Sequence, residues 1–207
     1  MIALPALKAR AQDFFPEQKD YAVRVSADFE RPGKDLENYK AAVVYSTGFL
    51  KFFDDFTLGI NMAYREFAPK AQMIVQQIDA GHQSVSTYSN YSTFLFYLSG
   101  VYNYPFTERV TLFGGLNAGL GYNTSGINYR DDNSDVYLGG DTKQAYFAPK
   151  LGAGFALNNN VSIDIHACYN IFMQSGNLNN IPASGNTAVL PSGYSSISTG
   201  IGMVFKF

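Results

Sequence analysis

Apolar and polar residues alternate one by one along most of the chain, in blocks separated by turn-forming residues. In Tyr21–Glu30 (YAVRVSADFE), Tyr21, Val23, Val25, Ala27 and Phe29 fall on one face, and Arg24, Ser26, Asp28 and Glu30 on the other. A strand turns successive side chains to opposite sides, so a period of two predicts a strand with one apolar face. The same reading gives strands over Tyr39–Phe49, Phe56–Phe67, about Tyr91–Tyr104, Val110–Tyr122, Gln144–Leu157, Val161–Phe172 and Ser195–Phe207. In the fourth the two faces are less distinct, and Phe94, Phe96, Leu98, Tyr102 and Tyr104 are assigned to its apolar side.

The connections alternate in length. The short turns LKFFDD, PFTER and NNN follow the second, fourth and sixth strands, whereas long polar segments (68–90, 123–143 and 173–193) follow the third, fifth and seventh. In an up-and-down meander this puts short turns at one rim and long loops at the other, the arrangement of membrane β-barrels. Two of the long segments have room for a further hairpin, so eight strands or ten remain open.

Alternation alone does not say which face is inside, since a soluble barrel hides its apolar face and a membrane barrel displays it. The apolar faces carry no charge, while the opposite faces hold Arg24, Asp28, Glu30, Lys40, Arg65, Lys150, Asp164 and Lys206. An Arg or Lys facing lipid at mid-depth costs about 2–4 kcal/mol, which gives that exclusion a cause. Aromatics also mark both ends of the apolar stripes. Phe29, Tyr39, Tyr64, Phe94, Tyr122, Phe147 and Tyr169 stand at the long-loop end, with Tyr21, Phe49, Phe56, Tyr104, Phe155 and Phe207 at the other. Amphipathic rings prefer each water–lipid boundary, so a lipid slab explains two girdles and a dry ligand cavity does not. The expected fold is therefore all-β: a membrane-spanning antiparallel up-and-down β-barrel of eight strands over residues 19–207, behind an N-terminal segment 1–18.

Eight strands enclose only enough room for side chains. We expect the lumen to be plugged by small and polar residues around a network of Arg24, Asp28, Glu30, Lys40, Arg65, Lys150, Asp164 and His166, with Asp28 or Glu30 pairing Lys40 across the first hairpin. Composition agrees: charged residues make up 15% of the chain against about 25% in globular proteins, so the surface is short of charge. A net charge of −2 gives no field for nucleic acid, which is not expected as a partner. One cysteine, Cys168, excludes an intramolecular disulfide and a zinc site of cysteine pairs. No run of apolar residues is long enough for a transmembrane helix.

Three stretches resemble the small eight-stranded outer-membrane β-barrels of Gram-negative bacteria, of the OmpA-like, opacity and surface-antigen type. They are FLFYLSGVYNYPFTERVTLFGGLNAGLGY (Phe94–Tyr122), YFAPKLGAGFALNNNVSIDIHACYNIF (Tyr146–Phe172) and the closing SSISTGIGMVFKF (Ser195–Phe207). The absence of Trp departs from the group's usual girdles. The resemblance implies an outer-membrane location and contact with outer-membrane lipid and lipopolysaccharide. It also implies recognition of Phe207, Phe205 and Met203 by the barrel-assembly machinery. Export needs a signal peptide. Ala9-Arg10-Ala11 offers a small-x-small cleavage pattern, but Pro5 and Lys8 fit the signal pattern poorly. A truncated or mis-started signal and a short periplasmic segment both remain open.

Candidate chemistry is sparse. Asp164, His166 and Cys168 share the inward face of one strand, where an interior polar network is a better reading than a Cys-His-Asp nucleophile because a filled lumen admits no substrate. His82 has no obvious partner. Asp131, Asn133 and Asp135 stand at calcium-loop spacing without the expected Gly and Glu, which favours a solvated loop. PKAQMIVQQIDAG (Pro69–Gly81) reads as a short amphipathic helical turn, with Met73, Ile74 and Ile78 packing within the loop or facing a partner. No catalytic residue, metal site or cofactor is expected. The function expected is adhesion, surface recognition or envelope integrity, through an extracellular partner of the segments 68–90, 123–143 and 173–193. Alternatives are a narrow channel or hydrophobic-solute transporter and, less favoured, a lipid A-modifying enzyme.

Overall fold

The computed structural model describes residues 19–79, 82–130, 135–174 and 193–207. It contains β1 (Tyr21–Pro32), a single 3-10 turn (Lys34–Leu36), β2 (Ala42–Phe53), β3 (Phe56–Phe67), β4 (Met73–Asp79), β5 (His82–Tyr88), β6 (Tyr91–Pro105), β7 (Val110–Arg130), β8 (Asp135–Ala156), β9 (Val161–Gln174) and β10 (Gly193–Lys206). All ten belong to one antiparallel sheet. Eight of them close a barrel in the order β1, β2, β3, β6, β7, β8, β9, β10, sealed where β10 pairs with β1. The other two, β4 and β5, form a hairpin above the long-loop rim. Eight and ten are thus both present, as staves of the barrel and strands of the sheet.

The short-turn rim is built from local side-chain chemistry. Between β2 and β3 the two-residue turn Asp54-Asp55 puts Asp54 at φ 31°, a left-handed conformation that Asp tolerates better than bulkier residues. Thr107 Oγ1 accepts from the Val110 amide at 3.0 Å, and Asn158 Oδ1 accepts from the Asn160 and Val161 amides at 2.8 Å, each standing in for backbone at a tight reversal. The C-terminus completes this rim. The Phe207 amide donates to Tyr21 O at 2.9 Å, and its ring lies 6.2 Å from that of Phe49.

The apolar faces point outward. Leu58, Ile60, Met62, Leu98, Leu116, Leu120, Leu151, Ile165, Ile197 and Ile201 are all exposed, and the intervening positions turn in. The girdle residues are exposed at both ends, with one correction: Tyr39 is buried, at 6% exposure. β2 begins only at Ala42, because the chain from Gly33 to Ala41 folds over the barrel mouth. Tyr45 takes the girdle position and pairs with Tyr64. Charge resumes just past the belt, with Arg31 exposed beyond Phe29 and Lys51 against the Tyr21 and Phe53 rings at the lower edge. Hydrogen bonds from Tyr64, Asn90 and Ser92 hold the exposed Glu66 carboxyl, above the girdle, below its ordinary range.

Two further expectations are corrected. Pro69–Gly81 is not a helical turn: Met73–Asp79 is β4, because once the chain leaves the barrel it pairs with the strand that follows. Nor is 123–143 a loop. β7 and β8 run on as a paired ribbon, in continuous register from Val110↔Phe155 to Arg130↔Asp135. Residues 1–18 and most of 173–193 lie outside the described residues.

Candidate functional site

Two parts of the molecule could carry function: the lumen, which decides what passes, and the projecting sheet, which decides what is met outside.

The lower lumen is a charge network held by three strands. Arg24 on β1 forks onto Asp164 on β9, Nε to Oδ2 and Nη2 to Oδ1, both at 2.8 Å. His166 stands between two carboxylates, with Nδ1 2.8 Å from Asp164 Oδ1 and Nε2 2.8 Å from Asp28 Oδ1. Lys150 lies over the Phe113 ring at 5.5 Å, directly across the strand pair from Cys168. Higher up, Glu30 pairs with Arg65 and accepts from Ser196 Oγ. Arg24, Arg65 and Lys150 thereby face Asp28, Glu30 and Asp164, so formal charge balances where solvation is poor.

Lys40 does not join this network. It is exposed, outside the first residue of β2, and its amide donates to Ala68 O at 2.8 Å. The expected partner of Glu30 is replaced by Arg65, which shares its level inside the barrel from a strand that is not its neighbour. Both ring nitrogens of His166 lie against carboxylates, which leaves neither to activate the Cys168 thiol. The side chains of His82 and Ile78, and the residues Asp131 and Asn133, lie outside the described residues.

Above the charges the lumen is aromatic, which the expectation of a small, polar interior missed. Phe172 stacks on Tyr194 at 4.4 Å and on Tyr146 at 5.0 Å, while Tyr91 meets Tyr194 edge-on at 5.4 Å. The Arg65 guanidinium lies 4.0 Å from the Phe172 ring centre, a cation–π contact strengthened by burial. Tyr97 and Tyr146 touch at 5.4 Å across Gly119, where an added Cβ would strike the Tyr97 backbone. Leu36 and Tyr39 from the folded-over segment complete the stopper. The cavity left among the charged residues is about 20 Å³, space for a single water.

Outside, the staves β3, β6, β7 and β8 continue past the girdle as a four-stranded sheet in the order β4, β5, β7, β8. Val85–Tyr88 pair with Ile127–Arg130, and Ser89 stitches the bend between β5 and β6 through bonds to both the amide and the carbonyl of Gly126. Tyr137 lies over the Gly126–Gly139 pair and is 67% exposed. Met73 and Val75 on β4 are also exposed, at 60% and 54%.

An apolar outer wall with two aromatic girdles around a filled core is the fold of the small eight-stranded outer-membrane β-barrels. No protein-family profile and no curated protein matches the chain. Among solved structures it is similar to Neisserial surface protein A, with a TM-score of 0.57 and 13% identity over 90% of this chain and 97% of that one. It is also similar to Ail, the attachment invasion locus protein of Yersinia pestis, crystallised with the heparin analogue sucrose octasulfate. There the TM-score is 0.52 and the identity 13%, over 92% and 100% of the two chains. At that identity the likeness is one of fold.

Proposed function

We propose that this chain is a non-enzymatic integral protein of a Gram-negative outer membrane whose work is surface recognition or adhesion. The observation that carries this reading is the contrast between a lumen filled with side chains and a sheet that projects well beyond the lipid. A barrel whose cross-section is filled by Arg65, Phe172 and Tyr194 contributes a rigid mount, and a mount is what recognition by projecting segments needs. The likeness to Ail, an attachment protein by name, is in keeping with it. Lipid and lipopolysaccharide would surround the wall at the girdles. Phe207, Phe205 and Met203, on the closing strand, would be read by the assembly machinery.

Two measurements test the proposal. Reconstituted in planar bilayers, the protein should show no steady conductance, and regular openings would favour the channel reading. Cells expressing it should gain adherence that is lost when 73–88 is replaced by a short turn, with lipid A acyl chains unchanged by mass spectrometry. Adherence that survives the replacement, or altered acyl chains, would overturn it.

A further inference from the structure

The projecting sheet ends on β4, and among the described residues β4 pairs only with β5. Lower down, the corresponding edge is covered. Tyr39 bridges Pro69, the Lys40 amide donates to Ala68 O, and the Lys70 amide donates to Asn38 O at 2.7 Å. Among the described residues the cover stops there, and the edge opens at Met73. Its sequence, MIVQQID, has no proline, glycine or lysine and a single charge at the far end. Natural edges are usually blunted by such residues, and their absence marks a template for strand addition.

The hydrogen-bond parity of this edge follows from one bond. The Tyr88 amide donates to Gln72 O at 2.9 Å, so residue 72 points its backbone groups toward β5. Antiparallel ladders alternate, so 74 and 76 do the same, while Met73, Val75 and Gln77 present amide and carbonyl to the open side. The register shift between Gln77 and Asp79 ends the regular edge. Centred on Val75, it can pair antiparallel with its own copy. Val75 then meets Val75, Met73 meets Gln77, and no two like charges stand opposite. About six backbone hydrogen bonds result.

Membrane geometry selects where that copy resides. β4 runs outward, in the direction of β3 and β7. Two copies in one membrane are related by rotation about its normal, so their β4 strands run the same way and cannot pair antiparallel. Copies in two facing membranes, related by a two-fold axis in the gap, run oppositely. We therefore infer that the β4 edge is a homophilic contact between apposed membranes, joining two projecting sheets into one continuous sheet. The inference rests on the adhesive reading above and names its partner as a second copy of this chain. One such contact is weak, and repetition across two surfaces multiplies it.

The test uses the full chain reconstituted in phosphatidylcholine vesicles carrying two dyes, with tethering read by energy transfer and light scattering. Unsubstituted vesicles should tether. Val75→Pro removes an outward-pointing amide that β5 does not use, and should abolish tethering while the heat-dependent gel shift of the folded barrel persists. Val75→Lys vesicles should fail with themselves but tether to Val75→Glu vesicles, because residue 75 faces its own copy on the two-fold axis. No tethering by correctly inserted barrels, Val75→Pro tethering as well as the unsubstituted chain, or Lys and Glu vesicles failing together would overturn the inference. A chain that fails to insert at all would instead refute the membrane reading beneath it.

Discussion

Ile60→Arg measures the polarity of the wall directly. Ile60 sits on β3 midway between the girdle residues Phe56 and Tyr64 and is 65% exposed. At about 3.3 Å per residue, the girdles lie about 26 Å apart along the strand. With strands tilted near 40° this is about 20 Å of membrane depth, which puts Ile60 at the centre of the apolar band. An arginine there should cost about 2–4 kcal/mol, against about 0–1 kcal/mol for Tyr64→Arg at the boundary. A loss of about 3 kcal/mol lowers the folding equilibrium constant more than a hundredfold. With a urea slope near 2 kcal/mol/M, the midpoint moves down by about 1.5 M. The assay is reversible urea unfolding in lipid vesicles, followed by far-ultraviolet circular dichroism and gel mobility. Were the outer face wetted, both arginines would be nearly neutral, as at any exposed strand position. An Ile60→Arg cost within about 0.5 kcal/mol of zero, or a larger cost at Tyr64, refutes the assignment.

Three further outcomes follow from the interior and the seam. Arg65→Met strands the Glu30 carboxylate in the lumen, at a cost of about 3–5 kcal/mol in the same urea assay, and a second substitution, Glu30→Gln, should recover part of it. Gly119→Ala should lower stability by about 1–3 kcal/mol, since its Cβ meets the Tyr97 backbone and parts β6 from β7. Phe207→Ala removes the ring that packs on Phe49 at the closing strand, so folding kinetics with purified assembly machinery should slow while the spectrum of the finished barrel is unchanged.

Much of this architecture is legible in the sequence because a period of two is a local property. Val23, Val25 and Ala27 alternate with Arg24, Ser26 and Asp28 whatever surrounds them, and exclusion of charge from one set identifies the medium it meets. The same alternation places Arg24, Asp164 and His166 inside. It fails at Tyr39, where the pattern continues although the strand does not: burying a ring in the barrel mouth outweighs adding one more pair to β2. It fails again at Met73–Asp79, where apolar spacing fits a helical turn as well as a strand. Only the adjacent Gln83–Thr87 decides the matter, by offering a ladder.

The sequence by itself determined the eight staves within the membrane, their outward and inward faces, and the rim at which the long segments gather; it did not reveal β4, β5 or the outward run of β7 and β8. Which charges meet could not be read from it. Glu30 finds Arg65, and Arg24 finds Asp164, from staves far apart in the chain that closure of the cylinder brings to one level. The aromatic stopper of Phe172, Tyr194 and Tyr146 and the open edge of β4 have the same origin. Alternation fixes the side on which a residue lies, whereas partners across a lumen or at a sheet edge depend on register and closure, which are properties of the whole barrel.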